Sequence, residues 1–130
     1  MKKWLYLGIF DLTLIIILSL ISGASLKKIS FTDIASIDKL GHFAFYGFAS
    51  FCFSMHFKIN KFKYIFTDFI VFTLLFTLGL TLEFLQYACA EGRFFDILDQ
   101  LANTIGIFSG LIIANFLFAK LCSSKLSKNA

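Results

Sequence analysis

Apolar residues run through this chain in four long blocks. The blocks cover roughly Trp4–Ile21, Ile37–Phe57, Tyr64–Tyr87 and Ile97–Ala119. Each is near the ~20 residues that a helix needs to cross a bilayer. The period-two alternation of a membrane barrel is missing, and an open sheet in lipid would leave backbone groups unpaired. The pattern predicts an all-α fold: an integral membrane bundle of four transmembrane helices, with residues 1–130 as one transmembrane domain. Polar breaks supply the connections. Gly23–Ser36 reads as a linker, Lys58–Lys63 as a short basic turn, and Ala88–Phe95 as a loop turning at Gly92. Ser123–Ala130 reads as a frayed polar tail.

Composition agrees. Only 15% of the 130 residues are charged and mean hydropathy is +0.84, whereas a soluble domain carries about 25% charge. Four spans leave no room for a separate soluble domain. Nineteen phenylalanines suit a lipid-facing surface, and the absence of proline removes the usual cause of kinks. Three cysteines without a CxxC spacing form no disulfide framework.

The net charge of +4 matters less than its placement. Lys2, Lys3, Lys58, Lys61, Lys63, Lys120, Lys125 and Lys128 share one side if all four blocks cross. The other side holds Lys27, Lys28, Lys39 and Arg93 against Asp33, Asp38, Glu91, Asp96 and Asp99. By the positive-inside rule both termini are cytoplasmic. The basic balance then reflects topology and the lipid bilayer as partner, and no nucleic acid. Lys2-Lys3, an apolar run and Ser22-Gly23-Ala24 also resemble a cleavable leader, but Asp11 interrupts the run and its length exceeds a usual leader core. Loss of that segment would leave the orientation of the other spans unchanged.

Several polar residues stand in or beside the apolar blocks, and ionisable groups near hydrocarbon are functional candidates by default. With this threading they gather toward the outer face. Asp38 and His42 are i and i+4 on one face of span two, and Tyr46 continues that face. Asp38 is placed to cap the helix N-terminus. Glu83 and Gln86 are i and i+3 near the outer end of span three. Asp96, Asp99, Asn103, Gly106 and Gly110 follow steps of 3, 4, 3 and 4 along one stripe of span four. Asp96 reads as an N-cap, and the two glycines as a surface for close helix approach. Asp11 stands apart in the cytoplasmic half of span one, within reach of Lys61 or Lys63. Asp68 balances nearby lysines.

Asp38-Lys39-Leu40-Gly41-His42-Phe43-Ala44-Phe45-Tyr46 resembles the DKxxHFxxY motif of the VanZ-like (teicoplanin-resistance protein Z-like) membrane proteins. Glu83-Phe84-Leu85-Gln86 resembles their ExxQ. Arg93, Asp99, Asn103 and Gly106 resemble their R-x5-D-x3-N-x2-G pattern. The three motifs occur in the family's order across 38–110, although Glu91-Gly92 stands where members often carry a proline. The resemblance implies a small multi-span protein of the bacterial cytoplasmic (inner) membrane, related to low-level glycopeptide (teicoplanin) resistance.

Two readings follow. In the first, the outer cluster binds or acts on the head group of an anionic envelope lipid or lipid-linked wall precursor. His42, Glu83 and Asp99 are the catalytic candidates. Asp38, Lys39, Tyr46, Gln86, Arg93 and Asn103 are the ligand-binding candidates, since cationic side chains and helix N-termini suit phosphate. No cofactor is assigned. The acids would repel a phosphate unless paired or bridged. A divalent ion held by His42, Glu83 and Asp99 would relieve this, but no HExxH-type spacing supports it and no metal ligand is assigned. In the second reading the protein is a non-catalytic membrane accessory or scaffold whose polar cluster staples the helices. A proton or ion pathway ranks third, because ionisable groups thin out below Tyr46.

Overall fold

The computed structural model describes residues 2–25, 31–60, 64–89 and 95–128, with side chains described over 2–20, 37–60, 66–88 and 95–124. These form α1 (Lys3–Ser25), α2 (Phe31–Ile59), α3 (Tyr64–Cys89) and α4 (Ile97–Lys128). The described residues contain no strand. Each helix runs antiparallel to its chain neighbour, so α2 and α4 are parallel. Lys39 meets Asp96 at one end of this pair, and Lys58 meets Asn115 at the other.

The helices outrun the apolar blocks. The first linker shrinks, because α1 continues to Ser25 and α2 starts at Phe31. Asp38 therefore lies two turns inside α2 and is not its N-cap. Lys58 belongs to α2 and not to the following turn. The tail from Ser123 is helical as far as Lys128. Gly92, Lys61 and Lys63 lie outside the described residues.

Burial inverts the soluble pattern. Tyr6, Phe10, Phe66, Phe69, Phe84 and Phe116 are exposed. Buried polar side chains are as numerous as buried apolar ones among the described residues. An apolar exterior around a partly polar interior suits hydrocarbon as solvent. Three helices carry stretches long and apolar enough to cross a membrane: Lys3–Leu20, Phe66–Ala88 and Ile97–Ser124. In length α2 matches them, but it is more polar, because it is the inner helix. It packs on α1, α3 and α4, while the backbones of α1 and α4 do not come close to each other among the described residues. Asp38, His42, Tyr46, Ser50, Ser54 and Lys58 recur every fourth residue along it. Tyr46, Ser50, Ser54 and Lys58 are at most 2% exposed. At ~1.5 Å per residue this ladder is roughly 30 Å long, about the hydrocarbon thickness.

The α2–α4 seam is the tightest contact in the bundle. A Cβ on Gly106 would strike the carbonyl of Phe43, and one on Gly110 would strike the Gly47 carbonyl and the Ser50 hydroxyl. Small residues here let two backbones approach, the expected packing where lipid supplies no hydrophobic drive between helices. The Ser50 hydroxyl lies 2.9 Å from the Gly47 carbonyl oxygen and 3.0 Å from that of Ile107, to which it donates across the seam. This parallel seam sets α2 and α4 in register and so aligns their polar ends.

Candidate functional site

At the Asp38 end of the seam, α2 and α4 bring five predicted residues together with Asp96. Asp96 caps α4: its Oδ1 accepts from the Leu98 N–H at 2.8 Å. Its Oδ2 accepts from Lys39 Nζ at 2.9 Å, and the same ammonium lies 3.2 Å from Asp99 Oδ1. Burial pushes the Asp96 carboxyl up, but the Lys39 ammonium and the Leu98 and Asp99 N–H groups outweigh it and hold it below the usual range.

His42 sits one turn deeper. Its Nδ1 is 2.9 Å from Asn103 Oδ1. Asn103 Nδ2 donates to Gln100 Oε1 at 3.4 Å, which orients the amide with its oxygen toward the imidazole. The network thereby assigns Nδ1 as the protonated nitrogen. Nε2 is left facing Asp38 Oδ1 at 3.9 Å. Donor atoms of Asp38, His42 and Asp99 all lie within 4.8 Å of one another.

The rim is half-open. Side-chain exposure is 34% at Asp38, 29% at Lys39 and 40% at Asp96, falling to 13% at His42 and 4% at Asp99. The floor is closed. Asn103, Gln100, Tyr46 and Glu83 are buried. The Tyr46 ring stacks against His42, centroids 6.4 Å apart, and Glu83 is near enough to act electrostatically on the Tyr46 phenol. Gly79 of α3 leaves the space for this floor, since a Cβ there would stand 2.8 Å from Gln100 Oε1 and 2.9 Å from Asn103 Nδ2.

The predicted residues thus separate. Asp38, Lys39, His42, Asp99 and Asn103 form one contact network, with Tyr46 and Glu83 beneath it. Gln86 turns the other way: its Nε2 donates to the Ser19 carbonyl of α1 at 2.5 Å. Arg93 lies outside the described residues. Gln100 was not predicted, although it is 4% exposed and orients Asn103.

A second polar knot closes the opposite end. Lys58 Nζ is 2.7 Å from both Asp68 Oδ1 and Ser54 Oγ, and it also donates to Asn115 Oδ1. Asn115 Nδ2 returns a bond to Asp68 Oδ2 at 2.9 Å. The expected pairing of Asp68 with lysine is present, but the partner is a buried helical lysine. The four-residue ladder along α2 is the signal by which the sequence could have revealed it. Asp11, 4% exposed on α1, buries its Oδ2 with no hydrogen-bond partner among the described residues.

A family model described as VanZ/LLP1 matches residues 5–118. No curated protein and no solved structure matches the chain. A match over this much of 130 residues, on an all-helical bundle with three stretches apolar enough to span a membrane, makes the chain a multi-pass membrane protein of the VanZ-like family.

Proposed function

We propose that the His42 end of the bundle is a binding site for the polar head group of an envelope amphiphile, an anionic lipid or a lipid-linked wall precursor. The observation that carries this reading is the graded burial of one charged cluster. Lys39, Asp38 and Asp96 form an accessible rim, and the more deeply buried His42, Asp99 and Asn103 lie beneath it. A head group at the rim would meet fixed charges while its tails stay in lipid. His42, with Nδ1 held by Asn103, is the candidate proton-transfer group, and Glu83 and Asp99 are the candidate carboxylates. Teicoplanin susceptibility of cells with and without the protein is the matching physiological readout.

The lysine distribution supports an outer position for this site, with both termini cytoplasmic in the inner membrane. Single cysteines at Lys27 and Arg93 are expected to react with a membrane-impermeant thiol reagent from outside, and one at Lys61 only after permeabilisation, in a background with the native cysteines removed. The reverse pattern would overturn this orientation.

Native mass spectrometry of the protein released from its own membrane, beside His42→Ala, tests the binding reading. The expected result is a defined lipid or lipid-linked species on wild type that His42→Ala loses. The second reading, a scaffold staple, has its own support: Lys39 is already engaged by Asp96 and Asp99, and Gln86 by α1. Equal absence of ligand from both proteins, with a lowered melting temperature for His42→Ala, would favour it.

A further inference from the structure

Among the described residues, Asp38, Asp96 and Asp99 face one another around one ammonium, Lys39, which sits between Asp96 and Asp99. Asp38 and the inner edge of Asp99 instead face the imidazole. The His42 nitrogen on that side is Nε2, and in the tautomer set by Asn103 it presents a lone pair. Three electron-rich atoms therefore converge, all within 4.8 Å. Electron-rich atoms do not gather without positive charge between them. Asp99 Oδ1 is in addition fully buried, and the cation it meets among the described residues is Lys39 at 3.2 Å.

We infer that Asp38, His42 and Asp99 form a binding site for a divalent cation of the Zn2+ or Mn2+ class. One imidazole with two carboxylates is a donor set for these ions. The Asn103 carbonyl oxygen on Nδ1 is the outer-shell partner that metal-ligating histidines use to fix their tautomer. Ligands at about 2.1 Å around a tetrahedral ion stand ~3.4 Å apart. The 3.9 Å between His42 Nε2 and Asp38 Oδ1 lies a little above this, and small rotations of the carboxylates close the gap. Three protein ligands leave open coordination positions toward the exposed rim. This deepens the head-group reading and rests on it for its ligand: the ion would bridge the acidic cluster to a phosphate that the acids alone would repel.

The test uses the full chain in detergent, stripped with chelator and titrated calorimetrically with Zn2+ and with Mn2+. One ion per chain is expected, with affinity at least tenfold lower in Asp38→Asn and in His42→Ala. Lys39→Gln removes the cation competing for Asp99 and is expected to bind the ion more tightly than wild type. Uptake equal in wild type and the Asp38→Asn/His42→Ala double variant would overturn the site, as would Lys39→Gln binding more weakly. So would 15N spectra of the chelated and metal-loaded protein showing His42 doubly protonated in both, since a proton would then supply the missing charge. Lipid retained in native spectra after chelation would refute the bridging role and leave the head-group reading intact.

Discussion

Replacing Gly110 by alanine is expected to force α2 and α4 apart and to lower stability by about 1–3 kcal/mol, the range for overpacking a tight contact. Helix propensity points the other way, since alanine gains about 1 kcal/mol over glycine in a helix interior. The clash wins because the atoms in the way are the Gly47 carbonyl and the Ser50 hydroxyl, and the carbonyl yields only if its helix moves. Movement there opens the seam that holds His42 against Asn103. Gly41→Ala is the matched control, because a Cβ at Gly41 meets nothing within 4 Å. Thermal unfolding in detergent should separate the two variants. A Gly110→Ala protein that melts with wild type would contradict the close approach of these helices.

Truncating Lys58 is expected to be costlier still. Its ammonium is wholly buried and holds Asp68, Ser54 and Asn115 together across α2, α3 and α4. Lys58→Ala leaves the Asp68 carboxylate without its counter-charge, and breaking a buried pair from one side costs about 3–5 kcal/mol. Lys58→Met combined with Asp68→Leu should recover much of the loss, because apolar residues of similar size often replace a buried pair without penalty. Chemical denaturation of the single and double variants gives the coupling directly. If the double variant is no more stable than Lys58→Ala, the knot acts through something other than this pair.

Helix number and order were legible, because uninterrupted apolar runs of bilayer length permit little else. The cluster was legible as a composition of one end of the bundle, since Asp38, Lys39, His42, Asp99 and Asn103 recur at helical spacing. Lys58 was misplaced for a physical reason. Flanking lysines normally mark the end of a span, and only packing against Asp68 and Asn115 distinguishes a buried lysine from a solvated one. Asp38 was likewise placed at a helix start because hydropathy marks where a span enters hydrocarbon, while backbone hydrogen bonding carries the helix outward to Phe31.

By itself the sequence determined an all-helical membrane bundle, the stripe of α4 that meets another helix, and the residues gathered at one end. Local spacing along a helix depends only on 3.6 residues per turn, so it can be read without a fold. The tertiary structure decided which stripe meets which. It made α2 the inner helix, set α2 and α4 parallel, turned Gln86 toward α1, and brought Asp38, His42 and Asp99 together. Those choices depend on the rotation and register of separate helices, and these are fixed by contacts such as Gly106 on Phe43 that no single helix contains.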